Sequence, residues 1–231
     1  MSLYLIINLA SLSVPFLVSF HPRIKLYKYF FQLFSAIFIT LIPFIVWDIW
    51  FTKAGYWGFN ESYLMGTALL GLPIEEWLFF ITIPYACVFT HISMSRLFPK
   101  VNVSRNWVSN ITYALLAMFV LVLILHTDKW YTLLDMIMGI VVLMLTYIFS
   151  RKILSKFYLT FLVVLIPFFI VNGLLTGTGI ENEIVWYNNS ENLGVRMGTI
   201  PVEDSVYAFS LILLNLFLFD KFTKGNLISP L

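Results

Sequence analysis

Apolar residues in this chain run in long blocks, broken at intervals by short polar or charged stretches. Seven blocks reach the length of a membrane span, at about 3–20, 28–50, 73–95, 108–125, 132–150, 157–175 and 201–219, since a helix needs roughly 20 residues to cross the hydrocarbon core. The pattern predicts an all-α fold, a polytopic transmembrane helical bundle of about seven spans with short connections and no separate soluble domain. Composition agrees: 60% hydrophobic residues, 11% charged residues and a mean hydropathy of +0.90 fall outside the range of a soluble domain. The first block has no basic segment ahead of it and no small-residue cleavage site behind it, so it reads as a retained span. The single cysteine, Cys87, lies inside an apolar block, which excludes an intrachain disulfide and argues against a cysteine-based metal cluster.

The net charge of +2 gives no reason to expect a nucleic-acid partner, but the distribution of the charges is informative. Arg23, Lys25 and Lys28 follow the first block, Arg96, Lys100 and Arg105 the third, Arg151, Lys152 and Lys156 the fifth, and Lys221 and Lys224 the seventh. Only Lys53, Lys129 and Arg196 fall on the other side. By the positive-inside rule the expected topology is a multi-pass cell-membrane protein with its N-terminus outside and its C-terminus cytoplasmic. The acids do the reverse: all except Asp220 sit at or near the outer ends of the blocks.

Two of these acidic positions are pairs in matching settings. Gly71-Leu72-Pro73-Ile74-Glu75-Glu76-Trp77 heads the third block, and Thr199-Ile200-Pro201-Val202-Glu203-Asp204-Ser205 heads the seventh. The echo extends further, since Leu41-Ile42-Pro43-Phe44 with Asp48 matches Leu165-Ile166-Pro167-Phe168 with Asn172. Four extra residues in the second outer connection reconcile the two offsets. The chain therefore reads as two three-span repeats, roughly residues 1–98 and 128–231, joined by a linker span at 99–127; a single linking span makes the repeats parallel, related by an axis along the membrane normal.

Proline at a helix start followed by acids in the first turn is an ordinary helix beginning. Its recurrence at equivalent positions beside apolar membrane points to function, because carboxylates in spans are costly and face a bundle interior or a cavity. Several acids in a small apolar space supply a proton donor beside a proton acceptor, the equipment for general acid–base chemistry. Adjacent helical residues diverge by about 100°, so the two acids of one pair cannot point at the same partner. Asp48 is able to share protons with the pairs and Asn172 to orient one of them; capping or bridging helices is the alternative role for both. His21, His91 and His126 are scattered, and none pairs with a carboxylate at metal-binding spacing. No Gly-x-Gly-x-x-Gly opens a strand-to-helix turn, and the aspartate-rich signatures of diphosphate-binding prenyltransferases are missing. Neither a metal nor a redox cofactor is expected.

Pro73-Ile74-Glu75-Glu76 and Pro201-Val202-Glu203-Asp204, each heading the third span of a repeat whose second span contains Ile-Pro-Phe, resemble the small membrane-integral, flavin-independent lycopene cyclases in their joined two-repeat form. The resemblance covers nearly the full length and implies a lycopene β-cyclase, an isomerase of carotenoid biosynthesis acting on a lipophilic polyene dissolved in the bilayer. It implies Glu75 and Glu203 as the core proton-transfer pair, with Glu76 and Asp204 beside them. Asp48, Asn172, Trp47, Trp77, Phe80 and Tyr207 are the supporting residues, the aromatic ones as cation stabilisers. The second motif departs from the first in Asp204 for Glu, and Asn172 replaces Asp, which leaves room for unequal roles. Other readings stay open: a cyclase of different ring or substrate specificity, a proton-coupled transporter, which requires a polar path across the bilayer, and a non-catalytic membrane scaffold. Self-association and association with other carotenoid enzymes are also left open.

Overall fold

The computed structural model describes residues 2–225. Seven α-helices follow one another among them: α1 Leu3–Val18, α2 Phe30–Ala54, α3 Ile74–Leu97, α4 Arg105–Leu125, α5 Trp130–Phe149, α6 Arg151–Leu175 and α7 Glu203–Phe222, with a 3-10 turn at Leu26–Tyr29 leading into α2. Helices α2 to α7 are long and apolar enough to cross a membrane. The first is shorter than its apolar block suggested. Its 16 residues rise about 24 Å at roughly 1.5 Å each, against a hydrocarbon core of about 30 Å.

Packing follows the repeat. Helix α1 lies against α3 as α5 lies against α7, and α2 packs on α7 as α6 packs on α3, so each repeat hands its second helix to the third helix of the other. The third helices, α3 and α7, also touch at the centre. Helix α4 has no repeat counterpart and covers α5 and α6. Pro43 and Pro167 occupy matching positions inside α2 and α6, where neighbouring helices in a membrane bundle tolerate the lost backbone bond.

The two long connections are more ordered than loops. Strand β1, Trp57–Phe59, pairs antiparallel with β4, Val185–Tyr187, while β2 (Ala68–Leu69) with β3 (Leu72–Pro73), and β5 (Arg196–Met197) with β6 (Ile200–Pro201), form a short hairpin in each repeat. In the β1–β4 pair Gly58 faces Trp186, its own equivalent in the 128-residue offset of the motifs, so the local two-fold axis passes through this position. Two large side chains cannot share the axis. A β-carbon on Gly58 would stand 2.4 Å from the Trp186 ring, and glycine is the partner that yields. The alignment also locates the four extra residues of the second connection between Asn172 and β4.

Both motif prolines lie just outside their helices, contrary to the expectation of a proline in the first turn. Pro73 ends β3 and is the residue before α3, and Pro201 ends β6 two residues before α7. The hairpin carries the chain up to the helix, and proline's fixed φ suits that extended exit. The turn of the first hairpin uses positive φ at Leu70 and Gly71, and the second at Gly198, as tight two-residue hairpins require.

Packing of the fifth helix depends on a small residue. A β-carbon at Gly139 would stand 3.1 Å from both the Phe119 ring of α4 and a Val206 methyl of α7. Gly139→Leu is expected to destabilise the bundle by about 1–3 kcal/mol through overpacking, read as a lower melting temperature in detergent. An unchanged melting temperature would contradict this packing.

Candidate active site

The first acid of each motif is a clamp. Glu75 is fully buried, and its Oε1 accepts the Ser2 hydroxyl at 2.6 Å and the backbone N–H of Met65 at 2.7 Å. Glu203 repeats the arrangement, accepting the Thr132 hydroxyl at 2.7 Å and the backbone N–H of Leu193 at 2.7 Å. Each carboxyl thus ties the strand-bearing connection to the helix that follows and to the first helix of its repeat. In the first repeat Asn8 strengthens the joint: its amide donates to the Glu75 carbonyl at 3.1 Å, and its Oδ1 accepts the Thr82 hydroxyl at 2.7 Å.

The second acids point elsewhere, as a 100° step along the helix demands. Glu76 Oε2 accepts the Tyr4 hydroxyl at 2.5 Å. Asp204 accepts two phenols, Tyr131 on Oδ1 at 2.5 Å and Tyr187 on Oδ2 at 3.1 Å. Asp48, near the strand end of α2, accepts the Trp57 indole N–H at 2.6 Å and the Thr52 hydroxyl at 3.3 Å on one oxygen, while its other oxygen has no hydrogen-bond partner among the described residues. Among the described residues, none of the hydrogen bonds to these five acids comes from a lysine or arginine.

Glu76, Asp204 and Asp48 line one cavity of about 450 Å³ that draws on both repeats. Along α3 the lining runs from Glu76 to Thr90, a length of about 21 Å at 1.5 Å per residue. The acids therefore sit at one end of an elongated space whose remaining walls are largely apolar, including Val14, Ile83, Ala86, Val164 and Ile212. Glu75 and Glu203 do not line it. The acids that sequence reasoning put first are thus held in the joints, and the ones it put second face the open space.

The supporting residues divide in the same way. Tyr207 and Asn172 line the cavity. Trp47 and Phe80 are buried in the aromatic cluster beside it, where the Trp47 ring lies 5.0 Å from Tyr207 and Phe44 lies 5.1 Å from Tyr207. Trp77 turns toward the hairpin, its indole donating to the Leu69 carbonyl at 3.2 Å. Sequence reasoning gave no site role to Tyr4, Tyr131, Tyr187 and Trp57, which with Thr52 supply the donors to the cavity acids, nor to Asp135. The last is fully buried in α5 with neither oxygen partnered among the described residues. A sequence signal existed for some of them: Tyr4 and Asn8 recur 127 residues later as Tyr131 and Asp135, and Thr82 recurs 128 later as Ser210.

Comparison with known proteins adds the family. The sequence model of the family described as lycopene cyclase matches residues 1–94 and 128–222, two segments that leave out α4 and the stretches flanking it. Neither a curated protein nor a solved structure matches the chain. With both repeats matched over most of the chain, this membrane protein belongs to the lycopene cyclase family, enzymes that cyclise carotenoid polyenes.

Proposed function

We propose that the enzyme is a lycopene β-cyclase that works as an isomerase (intramolecular lyase) by proton transfer, with neither redox cofactor nor metal. The carrying observation is the convergence of Asp48, Glu76 and Asp204, from both repeats, on one end of a long apolar cavity. A linear polyene entering from the bilayer fits such a space end first. A carboxylic acid gives its proton to the terminal alkene, the next suitably placed alkene attacks the tertiary cation and closes the ring, and a carboxylate removes a proton from the cyclised cation. One C–H bond forms and one breaks, so atoms and electrons balance without an outside reagent.

In this reading the proton-transfer set is Asp48, Glu76 and Asp204, while Glu75 and Glu203 hold the loops and helix starts that position it. Trp57, Tyr131 and Tyr207, on the cavity wall, offer aromatic faces to the cations, each worth about 0.5–2 kcal/mol, and Asn172 is positioned to orient the substrate end. The chain works as two repeats, roughly 1–98 and 128–231, with 99–127 as linker. A transporter needs a polar path, and the apolar walls beyond the acids favour the enzyme.

The cavity acids and the clamp acids are separable by substitution. Glu76→Gln, Asp204→Asn and Asp48→Asn are each expected to lower ring formation from lycopene by about a hundredfold or more, the usual range for a lost general acid or base, with normal amounts of protein in the membrane. Glu75→Gln and Glu203→Gln keep an oxygen that accepts both hydrogen bonds and are expected to retain most activity, whereas Glu75→Ala lowers the folded yield. Pigment analysis by chromatography, beside immunoblotting of membranes, reads both quantities; full activity in all three cavity variants would refute the assignment.

Topology is testable in the same host. With the N-terminus outside and the C-terminus cytoplasmic, a cysteine placed at Ser190 is expected to react with a membrane-impermeant maleimide in intact cells, and one placed at Ser104 to react only after lysis. Native Cys87 is buried and gives a low background.

A further inference from the structure

A second, smaller cavity of about 280 Å³ lies on the strand face of the molecule and shares three wall residues, Thr176, Val185 and Tyr187, with the acid-lined cavity. Its other walls include Glu183, Arg196 and Thr199. The contrast with the first cavity is chemical: polar groups dominate here, and a space of this size holds several waters at about 30 Å³ each. Arg196 is pinned at the rim, donating to the Thr199 carbonyl at 2.6 Å and to Asn189 Oδ1 at 2.9 Å, with its guanidinium 5.9 Å from the centre of the Tyr187 ring. The hydroxyls of Thr176 and Thr199 are 2.7 Å apart. A hydrophilic vestibule therefore abuts the acid-lined cavity across Thr176, Val185 and Tyr187, and of these Tyr187 is the aromatic one.

That side chain is bonded to a cavity acid. Tyr187 donates to Asp204 Oδ2 at 3.1 Å and is half-buried between the two spaces. The other acid–phenol pairs lack this outlet: Tyr4 on Glu76 and Tyr131 on Asp204 are buried, and neither lines the vestibule. The groups around Tyr187 include Asp204, the stacked Tyr131 ring at 5.8 Å, the Trp57 ring at 6.1 Å and Arg196, with Glu76 and Asp48 on the walls of the first cavity and Glu183 on a wall of the vestibule. Burial, with Asp204 beside it, pushes the Tyr187 phenol well above its ordinary value. It therefore remains a neutral hydroxyl, able to accept from water on one side while donating to the carboxyl on the other.

Resting on the cyclase reading above, we propose that Asp204 is the acid that protonates the substrate and that Tyr187 is its proton port to water in the strand-face vestibule. In each turnover the Asp204 O–H bond breaks as a C–H bond forms on the alkene, and another cavity acid takes a proton from the cyclised cation. That acid returns its proton to Asp204, so the set ends with the number it began with. Between turnovers Asp204 exchanges: its proton moves to the Tyr187 oxygen as the Tyr187 proton leaves to a vestibule water, and the reverse shift then returns a water proton through Tyr187 to the carboxylate. No net charge crosses, and the hydrogen added to each new ring comes from the vestibule. Tyr187 acts here through Asp204.

The test is the origin of that hydrogen. Lycopene is cyclised over many turnovers by the full-length enzyme in D2O, and the deuterium per ring is counted by mass spectrometry. Wild type is expected to deliver about one deuterium per ring, and Tyr187→Phe, which keeps the ring and removes only the hydroxyl, at least fivefold less, because the proton taken from one substrate is handed on to the next. Equal labelling in wild type and Tyr187→Phe, or no labelling in wild type, would overturn the port. Should Tyr187→Phe form no ring, imidazole, a small diffusible proton carrier, is expected to restore labelled product; failure to restore it counts against the port. Absence of cyclised product from wild type would instead sink the cyclase reading on which the port depends.

Discussion

A carboxyl inside a membrane bundle that is hydrogen-bonded takes its donors from the protein, because the surrounding lipid offers none. At Glu75 one donor comes from far along the chain, Ser2 at the start of α1, and one from nearby, the Met65 amide of the connection, and Glu203 draws on Thr132 and the Leu193 amide in the same way. Each bond set closes three elements onto one oxygen. It fixes where α3 and α7 begin, how the hairpins sit on them and, through the 100° step to the next residue, where Glu76 and Asp204 point. The direction in which the cavity acids point follows from how the acid beside each one is held.

The repeat supplies two such joints, and the departures from symmetry make one useful cavity from them. On the axis, Gly58 yields to Trp186. Away from it, α4 covers α5 and α6 but has no equivalent over α1 and α2. At the clamp, Asn8 joins Glu75 to Thr82, while its counterpart Asp135 and the counterpart serine, Ser210, stand without partners among the described residues. The cavity lies along α1, α3, α6 and α7. Two near-equal halves thus give one cavity in which the acids differ in their donors: one phenol for Glu76, two for Asp204, an indole and a threonine for Asp48.

Much of this was legible in the sequence. The blocks of apolar residues, the bundle class and the doubled motif follow from hydropathy and spacing, because long helices and repeats are written locally. The shortness of α1 was not, since apolar residues continue past Val18 into a turn. The strands escaped notice because two- and three-residue pairings leave no periodic pattern, and β1 with β4 joins residues about 130 apart. At the site, the four motif acids, Asp48 and Asn172 stand out as polar residues in apolar surroundings. Which acid of a pair faces the cavity depends on the helix phase relative to its neighbours, and no residue in Pro-x-Glu-Glu encodes that phase alone. The phenols were hidden for a simpler reason: among 12 tyrosines and 7 tryptophans, those that reach a carboxyl look like the rest.

The nature of the donors bears on the chemistry itself. A lysine or arginine beside a carboxyl offers only N–H bonds and rewards the charged form alone. A phenol or threonine hydroxyl serves both forms, donating to a carboxylate and accepting from a carboxylic acid without moving more than a hydrogen. Glu76 and Asp204 are bonded to phenols, so each can gain or lose a proton while its hydroxyl partners keep their place; Asp48 takes a donor-only indole N–H beside the Thr52 hydroxyl on one oxygen, and its other oxygen is without a partner among the described residues. The proposed isomerisation, which begins with a proton leaving one carboxyl and ends with a proton arriving at another, needs that tolerance at every step. Replacing the phenols with cationic partners would freeze the acids in one state; replacing them with apolar groups would leave buried oxygens unpaired at a cost of about 1–3 kcal/mol each. Hydroxyl partners avoid both, and that requirement accounts for tyrosines where a soluble enzyme would have used water.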